Sequence, residues 1–272
     1  MTGTGTQNDP YIVDNWTDFM AINTDSASVY VRWADTENKI IDFNDIRPDG
    51  FSESVNISGN VDFNGWTLRN FHSTADYSLN LSSNTTIENL IFENFYINSS
   101  RLFYSNSLLK NCIISGMIQH NSNSNIFSGC GLLNCSLNIK ANCEKFELAN
   151  GNGFLSPKTQ IVNSDIVLDA VCRSSSSNLI DLCTGAIKNS RISGKIQSNA
   201  SAVVLGNSSS MSNVFNLISN KPIKYTGYSI SVFNSDIAEK SSDSRESFIG
   251  VTSEQLKNAE YLYNIGFPIG IE

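Results

Sequence analysis

The sequence predicts an all-β chain that folds as a parallel β-helix, a solenoid of short stacked strands, with a short helical cap at each end. Three observations favour this fold. A short block containing Asn recurs about every 23 residues, a second short apolar segment precedes most of its copies, and no repeat holds a ten-residue helical pattern. A fixed period of about 20 to 50 residues is typical of repeat architectures.

The recurring block consists of an apolar residue, any residue and then Asn, followed by alternating apolar positions. Successive copies are 19 to 29 residues apart. Asn tolerates the left-handed backbone of a sharp corner, and stacked amides can bond to the turns above and below. The sequence therefore predicts a structural ladder at one corner, formed by Asn70, Asn89, Asn111, Asn134, Asn163, Asn189, Asn213 and Asn234.

The second segment lies about eight to ten residues before most blocks, as in Leu102-Phe103-Tyr104 and Val203-Val204-Leu205, with Ser, Asn and Gly between them. Each repeat thus has two short strands joined by small turn residues. A β-sandwich is an alternative, but it needs hairpin turns such as Asn-Gly at a spacing of about 8 to 12 residues. Disorder is the other alternative, and the periodic 15 Phe, 9 Tyr and 3 Trp oppose it.

Both ends of the chain depart from the repeat, and a solenoid needs caps over its open ends. We expect an N-terminal cap over 1–50, a β-helix over 51–235, and a linker with a C-terminal cap over 236–272. At the front, Tyr11-Ile12-Val13 indicates a strand and Asn15 an N-cap. At the back, Thr252 and Gln255 fit a capping box that opens one helix, and Gly266 ends it. Residues 236–250 are the predicted linker.

Composition excludes several classes of protein. The net charge is −8, the opposite sign from a protein that tracks nucleic-acid phosphates. Asn and Ser, 35 and 41 in number, provide most of the polar surface. No apolar run approaches the ~20 residues of a membrane span, and no secretory signal opens the chain. We expect folding in the cytosol and reduced, buried thiols at Cys112, Cys130, Cys135, Cys143, Cys172 and Cys183.

A glycan-cleaving β-helix would need two carboxylates facing one sugar, ~5 to 10 Å apart. Aligned to the Asn block, Asp165 matches Asp236 and Asp62 matches Asp181, but the members of each pair are several turns apart. Asp165 and Asp169 share one strand, at an extended separation of about 13 Å. We interpret these acids as solvated side chains and predict no catalytic residue.

Metal and cofactor sites are also not predicted. Asp42, Asn44 and Asp45 are dense oxygen ligands without the spacing of a calcium loop. His72 and His120 lie far apart in the repeat, and we interpret each as a surface or turn residue.

The two ends carry a resemblance. The opening Gly3-Thr-Gly5 to Val13 with Trp16 and Phe19, and the closing segment 252–268, resemble β-helical repeat proteins from gut bacteria and their phages. This resemblance implies a right-handed, pectin-lyase-like β-helix with an exposed interaction role, and it carries over no catalytic residue.

Three functions follow as expectations. The first is a non-catalytic virion appendage, a tail spike, tail fibre or head fibre, assembled in the host cytoplasm. It would bind a host surface glycan and other virion proteins, form a homotrimer, and use contact loops around 142–160 and 172–178. The second is a polysaccharide depolymerase, a lyase or a glycoside hydrolase. The third is a capsid or tail decoration that contacts only virion proteins.

Overall fold

The chain is a parallel β-solenoid of about seven turns. The computed structural model describes residues 2–22, 29–81, 84–99, 101–104, 106–150, 160–173, 180–181, 186–205, 210, 212–227 and 229–267. Strands dominate these ranges and helices are few and short. The predicted parallel β-helix is therefore confirmed.

The strands stack into sheets, and each successive strand of a sheet comes from a later turn. Sheet A contains β1 (Tyr11–Val13), β2 (Tyr30–Trp33), β5 (Asn60–Asp62), β9 (Thr86–Glu88), β12 (Leu108–Lys110), β15 (Gly131–Leu133), β18 (Ile161–Val162) and β21 (Ile187–Lys188). Sheet B contains β3 (Ile40–Asp42), β6 (Thr67–Arg69), β7 (His72–Ser73), β10 (Ile91–Ile97), β13 (Ile113–Gln119), β16 (Ser136–Cys143), β19 (Asp165–Cys172), β22 (Arg191–Ser198), β24 (Val214–Ser219), β26 (Ser231–Asn234) and β27 (Phe248–Val251).

The third face is made by two shorter sheets. Sheet C contains β4 (Val55–Ile57), β8 (Tyr77–Leu81), β11 (Arg101–Tyr104), β14 (Asn123–Ser128) and β17 (Lys145–Asn150). Sheet D contains β20 (Ile180–Asp181), β23 (Val203–Leu205) and β25 (Ile223–Tyr225). Strand β20 lies against β17, so sheet D continues the face that sheet C begins.

The long strands of sheet B explain why the register is fixed. Strands β16 and β19 are paired without a shift from Ser136–Asp165 to Cys143–Cys172. Buried and outward positions alternate along both strands. Burying one Leu or Ile side chain stabilises the fold by about 1.5 to 3 kcal/mol, and a one-residue slip would turn each of them outward.

Helix α1 (Trp16–Ala21) closes the N-terminal end of the core, as predicted. The side chain of Asn15 caps it by accepting the backbone N–H of Asp18 at 2.8 Å. Trp16 and Phe19 are buried, and the ring of Phe19 lies 5.4 Å from that of Trp33. A second short helix, α2 (Phe43–Ile46), follows β3 and buries Phe43. Sheet A begins at β1, so the parallel ladders start inside the range 1–50.

Residues 236–250, expected as a linker, form the last turn of the solenoid. Lys240 makes a parallel bridge with Ile223, and β27 pairs with β26. The predicted capping box follows and is confirmed, since Thr252 N–H donates to Gln255 Oε1 at 2.8 Å and Gln255 N–H donates to Thr252 Oγ1 at 3.2 Å.

The helix predicted after the capping box is divided into two. A 3-10 helix (Gln255–Lys257) is followed by α3 (Ala259–Asn264), because the side chain of Asn258 accepts the N–H of Tyr261 and starts a new helix. Gly266 follows α3 with a φ of 78°, as expected for a glycine that ends a helix. None of the helices in the described ranges has the length and apolar character needed to cross a bilayer.

The C-terminal segment packs on the outer face of sheet B. Val214 and Val232 are register partners, and their neighbours Phe215 and Phe233 point into the main core, so the two valines face outward. Together with Val251 they form a second apolar cluster, separate from the main core, with Leu256, Tyr261, Leu262, Ile265 and Phe267. The segment thus covers one end of an exterior face.

Candidate binding surface

Five of the eight predicted ladder residues occupy one corner, between sheets A and B. We call Asn89, Asn111, Asn134, Asn163 and Asn189 the corner asparagines; their φ angles are 57°, 53°, 54°, 49° and 49°. Within this row Asn134 Nδ2 donates to Asn111 Oδ1 at 3.3 Å, and Asn111 Nδ2 donates to Asn89 Oδ1 at 3.4 Å. Asn89 in turn donates to Asp62 at 2.8 Å.

The other three predicted ladder residues lie elsewhere. Asn70 follows β6 and takes part in a second row in sheet B, where it donates to Asp42 at 2.8 Å. Asn213 is one position past the corner and is buried. Asn234 lies within β26, where its Nδ2 donates to Asn216 Oδ1 at 2.8 Å. In the turn of Asn213, Ser212 takes the corner position, with a φ of 55°.

A row that the sequence analysis missed runs inside the same corner. It consists of the residues that follow the corner positions, which we call the inner polar row: Cys112, Cys135, Ser164, Ser190, Asn213 and Ser231. Each backbone N–H from Cys135 to Asn213 donates to the side-chain oxygen of the next member, at 3.0 to 3.2 Å. The signal was present in the sequence as a Cys or Ser after Asn111, Asn134, Asn163 and Asn189.

The candidate acids of sheet B are next to cations. Asp165 accepts Arg191 Nε at 3.0 Å in an exposed ion pair, and the pKa of Arg191 is raised by this bond. Asp169 lies between Lys140 and Lys195 in the strand register. The pair Asp165 and Asp169 therefore does not form a site with two facing carboxylates.

Sheet A brings together one acid pair that the sequence alignment did not find. Asp62 and Glu88 are register partners on adjacent strands, and both are partly buried. Lys110 Nζ contacts Glu88 at 2.9 Å, and Arg32 Nε lies 3.5 Å from Asp62. The pair is thus bracketed by two cations.

The Asp42 cluster is structural. Asp42 accepts Asn70 Nδ2 at 2.8 Å, the N–H of Asn44 at 3.0 Å and Arg69 Nε at 2.8 Å. The pKa of Asp42 is held below its usual range, and the largest cause is the hydrogen bond from Asn70. The hydrogen bonds from Asn44 and Arg69 lower this pKa further. Across the described ranges no three acid, His or Cys side chains converge as they would around a metal ion.

The histidines and cysteines also take structural positions. His72 packs edge-on against Tyr96 with the ring centres 6.0 Å apart, and His120 bonds to Ser122 at 3.0 Å. The five described cysteines are reduced and buried, as predicted; Cys183 lies outside the described residues. A hydrogen bond with Cys135, together with burial, raises the pKa of the Cys112 thiol well above its ordinary value.

One exposed aromatic group lies on sheet C, and we call Tyr77, Arg101 and Tyr104 the tyrosine–arginine cluster. The two tyrosine rings are 4.5 Å apart at their centres and inclined by 35°. The Arg101 guanidinium carbon lies 4.8 Å from the ring centre of Tyr77 and 5.1 Å from that of Tyr104. Tyr104 is 39% exposed.

Comparison with known proteins adds no relative. No family model, curated protein or solved structure matches the chain. The function must therefore be inferred from the surface of the solenoid.

Sheet B has the longest strands of the described ranges, and its outer face is the candidate binding surface. Its long strands present uncharged polar side chains at outward positions, and Ser136, Asn138 and Gln197 are exposed there. The apolar Ile113, Val167 and Ile218 are exposed between them. Of the predicted contact loops, 151–159 and 174–178 lie outside the described residues, as do the surroundings of the Asp181 side chain.

Proposed function

We propose that the chain is a non-catalytic binding appendage of a phage virion, a spike or fibre on the tail or head, that attaches to a glycan on the host surface. A homotrimer and contacts with other virion proteins belong to the same proposal. The chain ends resemble pectin-lyase-like β-helical proteins of gut bacteria and their phages, and this resemblance supports the proposed role.

The observation that carries the proposal is the outer face of sheet B. Amide and hydroxyl side chains follow one row across these strands, at Ser115, Asn138, Ser193 and Asn216, with Val167 between Asn138 and Ser193; paired strands are ~4.8 Å apart. Because the strands are rigid, little side-chain and loop ordering opposes binding of a polar polymer. The acids Asp165 and Asp169 on this face lie four residues apart on one strand, about 13 Å when extended, which is too far for the two carboxylates of a glycosidase.

The decisive experiment measures binding and cleavage together. Purified protein is mixed with host cells and with capsule and wall polysaccharide, and we follow retention on cells, new reducing ends and unsaturated uronate. Retention without cleavage is the expected result. Cleavage would contradict the non-catalytic role, and the absence of both would favour a decoration that contacts only virion proteins. Sedimentation of the same sample measures the oligomeric state.

A second candidate is a polysaccharide depolymerase, and the pair Asp62 and Glu88 is the observation that favours it. Two carboxylates on adjacent strands can face one glycosidic bond. If cleavage is seen, Glu88→Gln and Asp62→Asn should each abolish it, whereas Asp169→Asn on sheet B should not. If all three variants still cleave the polysaccharide, Asp62 and Glu88 are excluded as the catalytic acids.

A further inference from the structure

Arg101 differs from the ion-paired arginines of the solenoid in what surrounds its guanidinium. Arg32, Arg69 and Arg191 each contact a carboxylate, at Asp62, Asp42 and Asp165 respectively. Among the residues that the structure describes, no ion pair or hydrogen bond engages the guanidinium of Arg101. Its neighbours are the rings of Tyr77 and Tyr104.

The two rings hold this cation in place at the surface. A guanidinium within ~6 Å of a ring centre is attracted by the ring, and Arg101 satisfies this for both tyrosines. Arg101 and Tyr77 are register partners on adjacent strands, so the backbone fixes the positions of both residues. The result is a preorganised donor group, because a guanidinium has five N–H donors and a planar fork that matches a carboxylate.

Two amides lie beside the cluster. Asn80 is the register partner of Tyr104, and Asn56 is the register partner of Asn80. Asn80 Nδ2 donates to Asn56 Oδ1 at 2.8 Å, which fixes the orientation of both amides. An aromatic surface, a carboxylate-binding cation and oriented amides are thus adjacent on three neighbouring strands.

We propose that the tyrosine–arginine cluster binds an acidic sugar, a pyranose that carries a carboxylate, within a surface glycan. The carboxylate receives the N–H donors of Arg101, the apolar face of the ring packs on Tyr104, and hydroxyl groups bond to Asn80 and Asn56. This inference rests on the proposed glycan-binding function and names the class of sugar and the site.

The test uses the full chain and a panel of acidic oligosaccharides: oligogalacturonate, oligomannuronate and oligosialic acid. Each is paired with its carboxylate-reduced neutral form. Binding is measured by saturation-transfer NMR and calorimetry. The variants are Arg101→Gln and Tyr104→Ala. The controls are Arg47→Gln, whose guanidinium lies over the single ring of Phe51 at 5.5 Å, and Tyr263→Ala, an exposed tyrosine on α3.

We expect at least one acidic oligosaccharide to bind and its neutral form to bind about tenfold or more weakly, because a charge-assisted hydrogen bond is lost. Arg101→Gln and Tyr104→Ala should weaken acidic binding to a similar extent, and the two controls should leave it unchanged. Unfolding curves of all variants confirm that each is folded.

Other outcomes separate the failure of this site from failure of the proposed function. If the protein binds the panel or host cells but the two cluster variants bind as well as the wild type, the site is wrong and glycan binding stands. Equal binding of acidic and neutral forms overturns the class of sugar. If the wild type binds neither the panel nor host glycans, both proposals fail.

Discussion

The hydroxyl of Ser190 accepts the backbone N–H of Ser164 at 3.1 Å and donates to the carbonyl of Lys188 at 2.8 Å. Both serines are buried, and they lie one turn apart in the inner polar row. These two turns of the solenoid are thereby tied together by a side chain as well as by their strands. The bond matters because a buried N–H without a partner loses the water that it had in the unfolded chain.

Replacing Ser190 should therefore destabilise the chain. We expect Ser190→Ala to lower the free energy of unfolding by about 1 to 3 kcal/mol, since it leaves the N–H of Ser164 unpaired. Ser190→Cys should cost less, because Cys already occupies this row at Cys112 and Cys135. Urea unfolding measures both, with the outward Ser136→Ala as the control. If Ser136→Ala and Ser190→Ala lowered the free energy of unfolding equally, the hydrogen bond between Ser164 and Ser190 would make no specific contribution to stability.

The corner asparagines allow a test of backbone conformation. Asn134 has a φ of 54°, which costs most L-residues ~1 to 2 kcal/mol. Asn134→Ala should lower the free energy of unfolding more than Asn134→Gly, because glycine adopts this φ freely although it also lacks the amide. Asn138→Ala, at an outward strand position, is the matched control. If alanine and glycine were equivalent at 134, the amide ladder rather than the backbone would be the main contribution.

Sequence reasoning found the repeat because the corner is a local feature. A left-handed residue is needed at each corner, and Asn supplies it at Asn89, Asn111 and Asn134. The same preference also misled the alignment. Asn70 also has a positive φ, 58°, but it follows β6 in sheet B and does not lie at the corner between sheets A and B. In its turn of the solenoid, Asn64 and Gly65 have the positive φ at that corner. Residue identity alone did not distinguish these two positions, because only the strand register does.

The tyrosine–arginine cluster was beyond sequence reasoning for a related reason. Tyr77 and Arg101 are 24 residues apart, and the turns vary in length, so the loop lengths had to be known before the two could be placed together. The acid pair Asp62 and Glu88 was missed in the same way, since the acids were aligned to an Asn block that included Asn70. Register between turns is a tertiary property set by core packing.

Low pH should weaken the attachment of strand β3 to strand β6. The pKa of Asp42 is lowered in the folded chain, chiefly by the bond from Asn70, so folding favours the ionised form. The stabilisation is complete above the unfolded value, ~3.9, and is lost as the pH falls through the folded pKa. Asp42→Asn should thus be less stable than the wild type at pH 6.

The measurement for Asp42 is urea unfolding at pH 6 and at about pH 2.5. The difference in stability between wild type and Asp42→Asn should shrink at the lower pH, because the stabilisation from the ionised carboxyl is lost as the pH falls below the unfolded pKa. Asp169→Asn, an exposed position on sheet B, serves as the control for a general change in net charge. A difference that stayed constant over this range would mean that protonation of Asp42 is not involved.

A glycine of sheet B that lies against the neighbouring strand gives the last prediction. Gly194 has a φ of 112°, and a Cβ placed on it would lie 2.2 Å from the carbonyl oxygen of Leu168 on the adjacent strand. Gly65 also has a positive φ, 78°, but nothing lies within 4 Å of its added Cβ. Comparison of the two alanine variants therefore separates steric overlap from backbone strain.

We expect Gly65→Ala to lower the free energy of unfolding by roughly 1 kcal/mol, from strain at positive φ alone. Gly194→Ala should lose about 1 to 3 kcal/mol more, because strands β19 and β22 must move apart to admit the methyl group. Urea unfolding gives both values, and amide exchange locates the change. If exchange slowed or stayed the same around Leu168 in Gly194→Ala, the close contact between these strands would be ruled out as the cause.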